Sequence, residues 1–219
     1  AEKRSQIEEE KRKTTLLMQE VSTHLEQVRS KHEVLKEWHD SFSGFMQGVR
    51  EVLKERDRSL RGIHGAVAEL IQVPPQLEVA METALGAGLQ NIVVEDEEAG
   101  REAIQLLKAR RAGRATFLPL TVIKPRRLSQ HEEGLLRSLD GVLGRGSQLL
   151  ETNPRYRSIV EHLLGNVVIV ENLDVANQVA RLLRYRYRIV TLEGDVVNPG
   201  GAMTGGSMRQ KSNQLLGRQ

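Results

Sequence analysis

The chain contains no cysteine among its 219 residues. That absence excludes disulfide bonds, cysteine-ligated zinc and thiol nucleophiles together. Aromatic residues make up only 3% of the sequence, which is low for an aromatic-lined ligand cleft. No apolar run approaches the roughly 20 residues that a membrane-spanning helix needs, and the N-terminus has no signal-peptide pattern. With 39% hydrophobic residues, the composition favours a soluble intracellular protein with a packed core.

Recognised catalytic motifs are missing as well. The sequence has no G-x-S-x-G, H-E-x-x-H or Rossmann fingerprint. His64 follows Gly62 closely, and no carboxylate at short spacing could orient it as a general base. The acidic run at 95–98 could recruit a divalent cation, but the helix dipole alone explains acidic residues at a helix N-terminus. We therefore predict no enzymatic activity, no metal site and no cofactor.

Residues 1–46 carry a heptad pattern. Its a positions are Ile7, Thr14, Val21, Val28, Leu35 and Phe42, its apolar d positions are Leu17, Trp38 and Phe45, and its polar d positions are Glu10, His24 and Lys31. A strict seven-residue repeat stays buried only against a partner helix, so these residues are predicted to form one strand of a coiled coil. The chain begins without Met and already in a helical pattern, so we expect a fragment of a longer protein.

From Gly48 onward, short apolar runs alternate with helical stretches. This texture predicts a mixed α/β fold built from two related subdomains. Strands are expected at 64–71, 91–95, 114–120, 141–150, 166–171 and 187–194, and helices at 48–59, 74–88, 96–113, 129–139, 154–165 and 174–186. The two halves also resemble each other in sequence, with Glu95 and Glu171 at matching places after a buried strand.

Two glycine pairs, Gly200–Gly201 and Gly205–Gly206, stand near the end of the chain. A glycine-rich turn after a strand suggests a phosphate loop, but Ser207 follows the last glycine where a Walker A loop needs Lys. The pairs also fit a flexible turn, or a place where another backbone approaches closely.

Basic residues are unevenly distributed. Residues 75–100 carry acidic and no basic side chains, residues 101–157 are strongly basic, and 181–188 add four arginines, Arg181, Arg184, Arg186 and Arg188. With an isoelectric point near 9.3, the chain suits phosphate backbones, which need no base readout. The alternative is that these arginines are solvated or pair with the acidic stretch.

Together these features closely resemble the hinge domain of bacterial SMC (structural maintenance of chromosomes) proteins. The most specific phrase is DVVNPGGAMTGGS, and LRGIHGAVAELIQVPP, ALGAGLQNIVVED and GRATFLPL are further family-like phrases within about residues 47–207. The absence of Cys-x-x-Cys separates the chain from the zinc-hook relatives.

The resemblance implies four segments: a coiled-coil arm at 1–46, hinge subdomain 1 at 47–128, hinge subdomain 2 at 129–207, and the start of a returning arm at 208–219. It implies a chromosome-organising ATPase whose ATP-binding heads lie outside this chain, acting in chromosome condensation and segregation in the cytoplasm, at the nucleoid. Kleisin and accessory subunits would bind only other parts of that protein, and no membrane is involved.

The resemblance also implies homodimerisation and DNA contact. Gly200, Gly201, Gly205 and Gly206 would lie at the dimer contact, where missing Cβ atoms let two backbones complete one sheet. Replacing Gly205 and Gly206 by Val is then expected to abolish dimerisation while each protomer stays folded. The strand of subdomain 1 that meets the glycine motif is left open.

Sequence-independent contact with double- or single-stranded DNA is expected near the arm junction. The residues expected to make it are Arg209 and Lys211, together with Arg184 and Arg186, although Met208 and Gln210 interrupt the lysine run of the family. Two alternatives remain: a small nucleotide-binding α/β domain fused to a coiled coil, and a purely structural coiled-coil spacer.

Overall fold

The computed structural model describes residues 2–40, 44–206 and 215–216. The chain forms two compact units, residues 1–43 and 44–219, and each is described by itself.

The first unit is one long helix, α1 (Glu2–Asp40), which contains no glycine or proline. The predicted seam residues Leu17, Val21 and Val28 are all more than half exposed in the single chain. Such exposure is what a coiled-coil strand shows before its partner helix is added. The seam positions Ile7, Leu35, Trp38 and Phe42 lie outside the residues whose side chains are described.

The prediction that Phe45 is a seam residue is wrong. Phe45 lies in the second unit, after Gly44 with its positive φ of 103°, and packs against the main core of that unit. A left-handed backbone residue does not continue a helix, so the heptad count cannot be carried across Gly44.

The second unit is a mixture of helices and short strands, which confirms the predicted mixed fold class. Its helices are α2 (Gln47–Glu55), α3 (Val67–Leu70), α4 (Glu78–Leu85), α5 (Glu97–Arg110), α6 (Gln130–Arg137), α7 (Arg157–Leu164) and α8 (Leu173–Leu182). Its strands are β1 (Ile63–Ala66), β2 (Ile71–Gln72), β3 (Ile92–Val94), β4 (Phe117–Pro119), β5 (Val142–Arg145), β6 (Glu151–Thr152), β7 (Val167–Val170), β8 (Arg188–Thr191), β9 (Val196–Val197) and β10 (Met203–Thr204).

The elements follow the same order twice. Residues 47–119, the first repeat, run α2–β1–α3–β2–α4–β3–α5–β4, and residues 130–191, the second repeat, run α6–β5–β6–α7–β7–α8–β8 with a 3-10 turn at Gly146–Gln148 in the place of α3. In each repeat the central strand, β3 or β7, pairs antiparallel with the first strand and parallel with the last. The second repeat is extended by the hairpin β9–β10, giving the sheet order β10-β9-β8-β7-β5 beside the smaller β1-β3-β4.

Matching glycines directly precede the first strand of each repeat. Gly62 and Gly141 have φ of +69° and +81°, and their carbonyls accept the N–H of Glu95 at 2.8 Å and of Glu171 at 2.9 Å. The two glutamates that correspond in sequence therefore occupy corresponding places in the fold. The positive φ explains why both strand starts need glycine.

Two expected strands are interrupted at the same place in both repeats. The chain forms the helical turn α3 within 64–71, and the 3-10 turn Gly146–Gln148 within 141–150. In the first repeat the Glu69 carboxylate accepts the Ala66 N–H at 2.8 Å and stabilises the turn. Each bend redirects the chain into a two-residue strand, and these strands, β2 and β6, pair antiparallel with each other.

The main core lies between the repeats. Helices α4 and α7 contribute Met81, Ile159 and Leu164, which pack with Val93 and Ile169 from the central strands. Burying such a side chain stabilises the fold by about 1.5–3 kcal/mol. A second cluster covers the other face of the larger sheet, where α8 packs on β7 and β8. Because the main core is shared, 44–219 form one compact unit, and the subdomain boundary between 128 and 129 stays a prediction.

Described residues that follow each repeat contact a helix of the other repeat. After β4, the Arg126 N–H donates to the Glu161 carbonyl on α7 at 3.1 Å. After β10, the Leu216 N–H donates to the Glu82 carboxylate on α4 at 3.3 Å, and Leu216 is buried. Arg126 and Leu216 thus contact equivalent helices, α7 and α4.

Candidate dimer interface and basic loop

Strand β10 forms one edge of the larger sheet. It pairs antiparallel with β9, Met203 opposite Val197 and Thr204 opposite Val196, and none of the described residues forms a strand on its other side. The Asn198 N–H donates to the Ala202 carbonyl at 2.8 Å. Since hydrogen-bonded and non-hydrogen-bonded pairs alternate along an antiparallel ladder, the Met203 N–H and C=O point away from β9, toward the open edge.

The first glycine pair makes the turn between β9 and β10. Gly200 and Gly201 have φ of +83° and +95°. The Gly200 N–H donates to the Tyr185 carbonyl at 2.8 Å and the Gly201 N–H to the Asn198 carbonyl at 2.9 Å. The turn therefore requires glycine for a reason that lies within the chain.

The second glycine pair follows β10 and contacts the β8–β9 turn. A Cβ on Gly205 would lie 2.3 Å from Oδ1 of Asp195, and Gly206 has φ of +123°. The Gly206 N–H donates to the same Asp195 oxygen at 3.3 Å. Both glycines are thus required by the fold of the single chain, so replacing them with Val is expected to strain the protomer as well.

Arg184 and Arg186 lie in the loop between α8 and β8, beside the first glycine turn. Arg184 and Tyr185 both have φ of +54°, and both are exposed. Among the described residues, no acidic side chain lies within ion-pairing distance of Arg184, so its guanidinium faces solvent. Arg184 is therefore exposed and unpaired among the described residues.

Arg186 is engaged within the fold. Its guanidinium pairs with the Glu132 carboxylate and lies over the Tyr187 ring, 5.3 Å from the centroid. Glu132 is buried, accepts the Tyr187 hydroxyl at 2.9 Å and caps α6 through Ser129. Arg186 therefore stabilises the loop between α8 and β8 through an ion pair within the fold. Arg209 and Lys211 lie outside the described residues.

The sequence search missed a polar cluster around His64. Its Nε2 lies 2.9 Å from the Glu95 carboxylate, which comes 31 residues later, and its Nδ1 lies 3.1 Å from the Tyr156 hydroxyl. Arg155 pairs with the same carboxylate. Each imidazole nitrogen thus has a protein partner, a carboxylate on one side and a hydroxyl on the other. The cluster bridges the two repeats.

Two further observations concern metals and membranes. In residues 2–40, 44–206 and 215–216, no group of three or more potential ligand side chains is placed to hold a metal ion. Over the same ranges, none of the helices combines the length and apolar character that crossing a bilayer demands.

The family model "SMC proteins Flexible Hinge Domain" matches residues 60–180, more than half of the chain. The chain belongs to the SMC hinge family. The suspected resemblance is thereby confirmed, and the matched region begins after α2 of the first repeat and ends within α8 of the second.

This SMC hinge is similar to part of two much longer proteins, both chromosome partition proteins. The Smc protein of Bacillus subtilis strain 168 is 52% identical over 195 residues, which are 89% of this chain and 16% of that protein. The Smc protein of Desulfitobacterium hafniense strain Y51 is 41% identical over 98% of this chain and 18% of that protein. The chain thus spans less than a fifth of the length of these relatives.

Solved hinge structures share the fold. The asymmetric dimer of the Geobacillus stearothermophilus SMC hinge domain matches with a TM-score of 0.85 and 49% identity, over 92% of this chain and 80% of that one. The Pyrococcus furiosus SMC hinge domain matches with a TM-score of 0.60 and 29% identity, over 82% and 93%.

Proposed function

We propose that this SMC hinge joins two copies of its chain through the open edge of β10. The carrying observation is an edge strand whose outward N–H and C=O, at Met203, have no partner among the described residues, with a glycine pair near each end. Unpaired strand edges add a further strand readily. A close structural relative, the Geobacillus stearothermophilus hinge domain, is a dimer.

The fold offers one matching edge in the first repeat. Strand β4 occupies the place that β8 has in the second repeat, because each lies parallel to its central strand. Whereas β8 is covered by β9, β4 ends the order β1-β3-β4. We infer that β10 of one copy adds to β4 of the other. A two-fold arrangement makes this contact twice and closes the dimer.

The Met203 N–H allows a sharp test. Met203→Pro removes the outward donor, and proline is tolerated at an edge position whose N–H does not serve the ladder. Met203→Ala is the matched control, since it loses the same side chain and keeps the donor. In sedimentation of the whole chain at micromolar concentration, we expect dimers for wild type and Met203→Ala and monomers for Met203→Pro, with circular dichroism unchanged.

Two results would contradict this proposal in different ways. A monomeric wild type would remove dimerisation itself. A Met203→Pro chain that remains dimeric would place the contact elsewhere, for example on the exposed apolar residues of α1.

DNA contact belongs to the same proposal. Arg184 is the exposed, unpaired cation beside the first glycine turn, and Arg209 and Lys211 stay predicted contacts just after the second. Such contacts read phosphates and no base sequence. In the parent protein this hinge would serve chromosome organisation at the nucleoid, with ATP hydrolysis and kleisin binding carried by other parts.

The nucleotide-binding alternative is supported less well. In the second glycine pair, the Gly206 N–H already donates to the Asp195 carboxylate. A phosphate placed there would meet a negative charge, whereas phosphate loops present free N–H groups. Both glycine turns are better explained as the ends of an edge strand.

A further inference from the structure

The β8–β9 turn holds Asp195 rigidly. The Thr191 N–H donates to the Asp195 carbonyl at 2.9 Å, and the Asp195 N–H donates to the Thr191 hydroxyl at 3.0 Å. Thr191 is fully buried, and the Gly194 N–H closes the turn on the Thr191 carbonyl at 3.0 Å. These bonds fix the backbone of Asp195, and with it the direction in which its side chain leaves the turn.

That side chain points at the chain leaving β10. Its Oδ1 accepts the Gly206 N–H at 3.3 Å and occupies the space where a Cβ of residue 205 would lie, 2.3 Å away. The φ of Gly205 is not in the left-handed region. Gly205 is consequently glycine because of Asp195, and not because of backbone conformation.

We propose that Asp195 is a positioning residue for the dimer edge. This rests on the proposed dimerisation through β10. Strand β10 has two residues, so its ladder to β9 contributes little stabilisation. The first glycine turn holds its beginning, and the Asp195 carboxylate holds its end. Without that anchor, Met203 and Thr204 must be ordered when the partner binds, and the loss of backbone entropy weakens association.

The test compares three variants in the whole chain. Asp195→Ala removes the acceptor, Asp195→Asn keeps an oxygen acceptor, and Glu193→Ala removes an exposed acid from the same turn. We expect Asp195→Ala to raise the dimer dissociation constant about threefold per contact, so about tenfold for a dimer with two contacts, a change of about 1.4 kcal/mol. Asp195→Asn and Glu193→Ala should stay within about twofold of wild type, since each keeps the Gly206 acceptor.

A double-variant cycle tests the contact itself. Gly205→Ala alone should weaken the dimer, because its Cβ would collide with the Asp195 carboxylate. In the Asp195→Ala background the same change should cost little more, since the colliding oxygen is gone.

The other possible results contradict either the positioning role of Asp195 or dimerisation itself. Asp195→Ala dimerising like wild type, Asp195→Asn being as weak as Asp195→Ala, or additive losses in the cycle would each overturn the positioning role while leaving the dimer in place. A monomeric wild type would overturn dimerisation and this role together.

Discussion

Replacing Arg145 by Met should destabilise the second unit strongly. Arg145 is 8% exposed and its partner Glu161 3%, with Arg145 Nη1 2.9 Å from the Glu161 carboxylate. The same Nη1 donates to the Ser147 hydroxyl at 3.2 Å and the Gly165 carbonyl at 3.3 Å. Glu133 lies 2.9 Å from Nε. The Arg145 guanidinium therefore joins α6, the turn after β5 and the end of α7, with Nη1 making the hydrogen bonds and Nε lying beside Glu133 as an ion pair without a hydrogen bond.

The magnitude follows from what is left behind. Breaking a buried ion pair by removing one partner costs about 3–5 kcal/mol, because an uncompensated charge stays buried. Here Arg127 at 3.4 Å and Arg157 at 3.8 Å still approach the Glu161 carboxylate, although both are largely exposed. We therefore expect the lower end of that range, about 3 kcal/mol.

Urea unfolding at one fixed chain concentration measures this loss, with a constant m-value showing that stability alone has changed. Arg145→Met combined with Glu161→Met should recover at least about half of it, since an apolar pair leaves no buried charge. Arg101→Met is the control, because Arg101 and Glu98 form an exposed ion pair. This substitution should lower the free energy of unfolding by less than about 0.5 kcal/mol. If Arg145→Met lowers the free energy of unfolding by less than about 1 kcal/mol, or if the double variant is less stable than Arg145→Met alone, the reasoning is refuted.

Two further predictions concern the exposed Arg184 and the partly buried Glu55. Arg184→Gln should weaken binding to a short DNA duplex at low salt and reduce the slope of log affinity against log salt by about 0.9 per lost phosphate contact. Arg186→Gln should change affinity and slope less, because the Arg186 guanidinium pairs within the fold. Fluorescence anisotropy measures both quantities, and equal effects of the two substitutions would contradict the prediction. A hydrogen bond from Ser59, and then one from Arg110, lowers the pKa of Glu55 below its ordinary value of 4.5. This contact therefore stabilises the fold above that value and is lost as pH falls through the folded pKa. In a carboxyl NMR titration Ser59→Ala and Arg110→Gln should each raise the pKa of Glu55, and an unchanged pKa in either variant would refute the assignment.

Local patterns predicted most of the elements. The apolar runs at 92–94 and 167–170 are buried central strands, since uninterrupted apolar residues suit a strand covered on both faces. The helices after them begin at Asp96 and Asn172, whose side chains accept backbone N–H groups as caps. These features depend on neighbours within a few residues.

Features that depend on distant residues could not be predicted. The pairing of β2 with β6, reinforced by the Thr152 hydroxyl donating to the Leu70 carbonyl 82 residues away, leaves no local signature. The same holds for His64 and Glu95, which are brought together only by the β1–β3 pairing.

The glycine motif combines a feature that local sequence predicts with one that depends on a more distant residue. Its residues were recognised, but the predicted reason, contact between protomers, did not include Asp195. That contact depends on the β8–β9 turn bringing residue 195 beside 205, which spacing alone does not reveal. The role of the four glycines at the dimer contact stays a prediction.

The shared core has a consequence for synthesis of the chain on the ribosome. When the first repeat has emerged, its inner apolar face, including Met81 and Val93, still lacks the α7 residues that cover it. The ribosome must add more than forty residues beyond β4 before Leu164 is available. At about 5–20 residues per second, the nascent first repeat exposes that face for several seconds. During this interval, chaperones that recognise apolar surface can bind the exposed face.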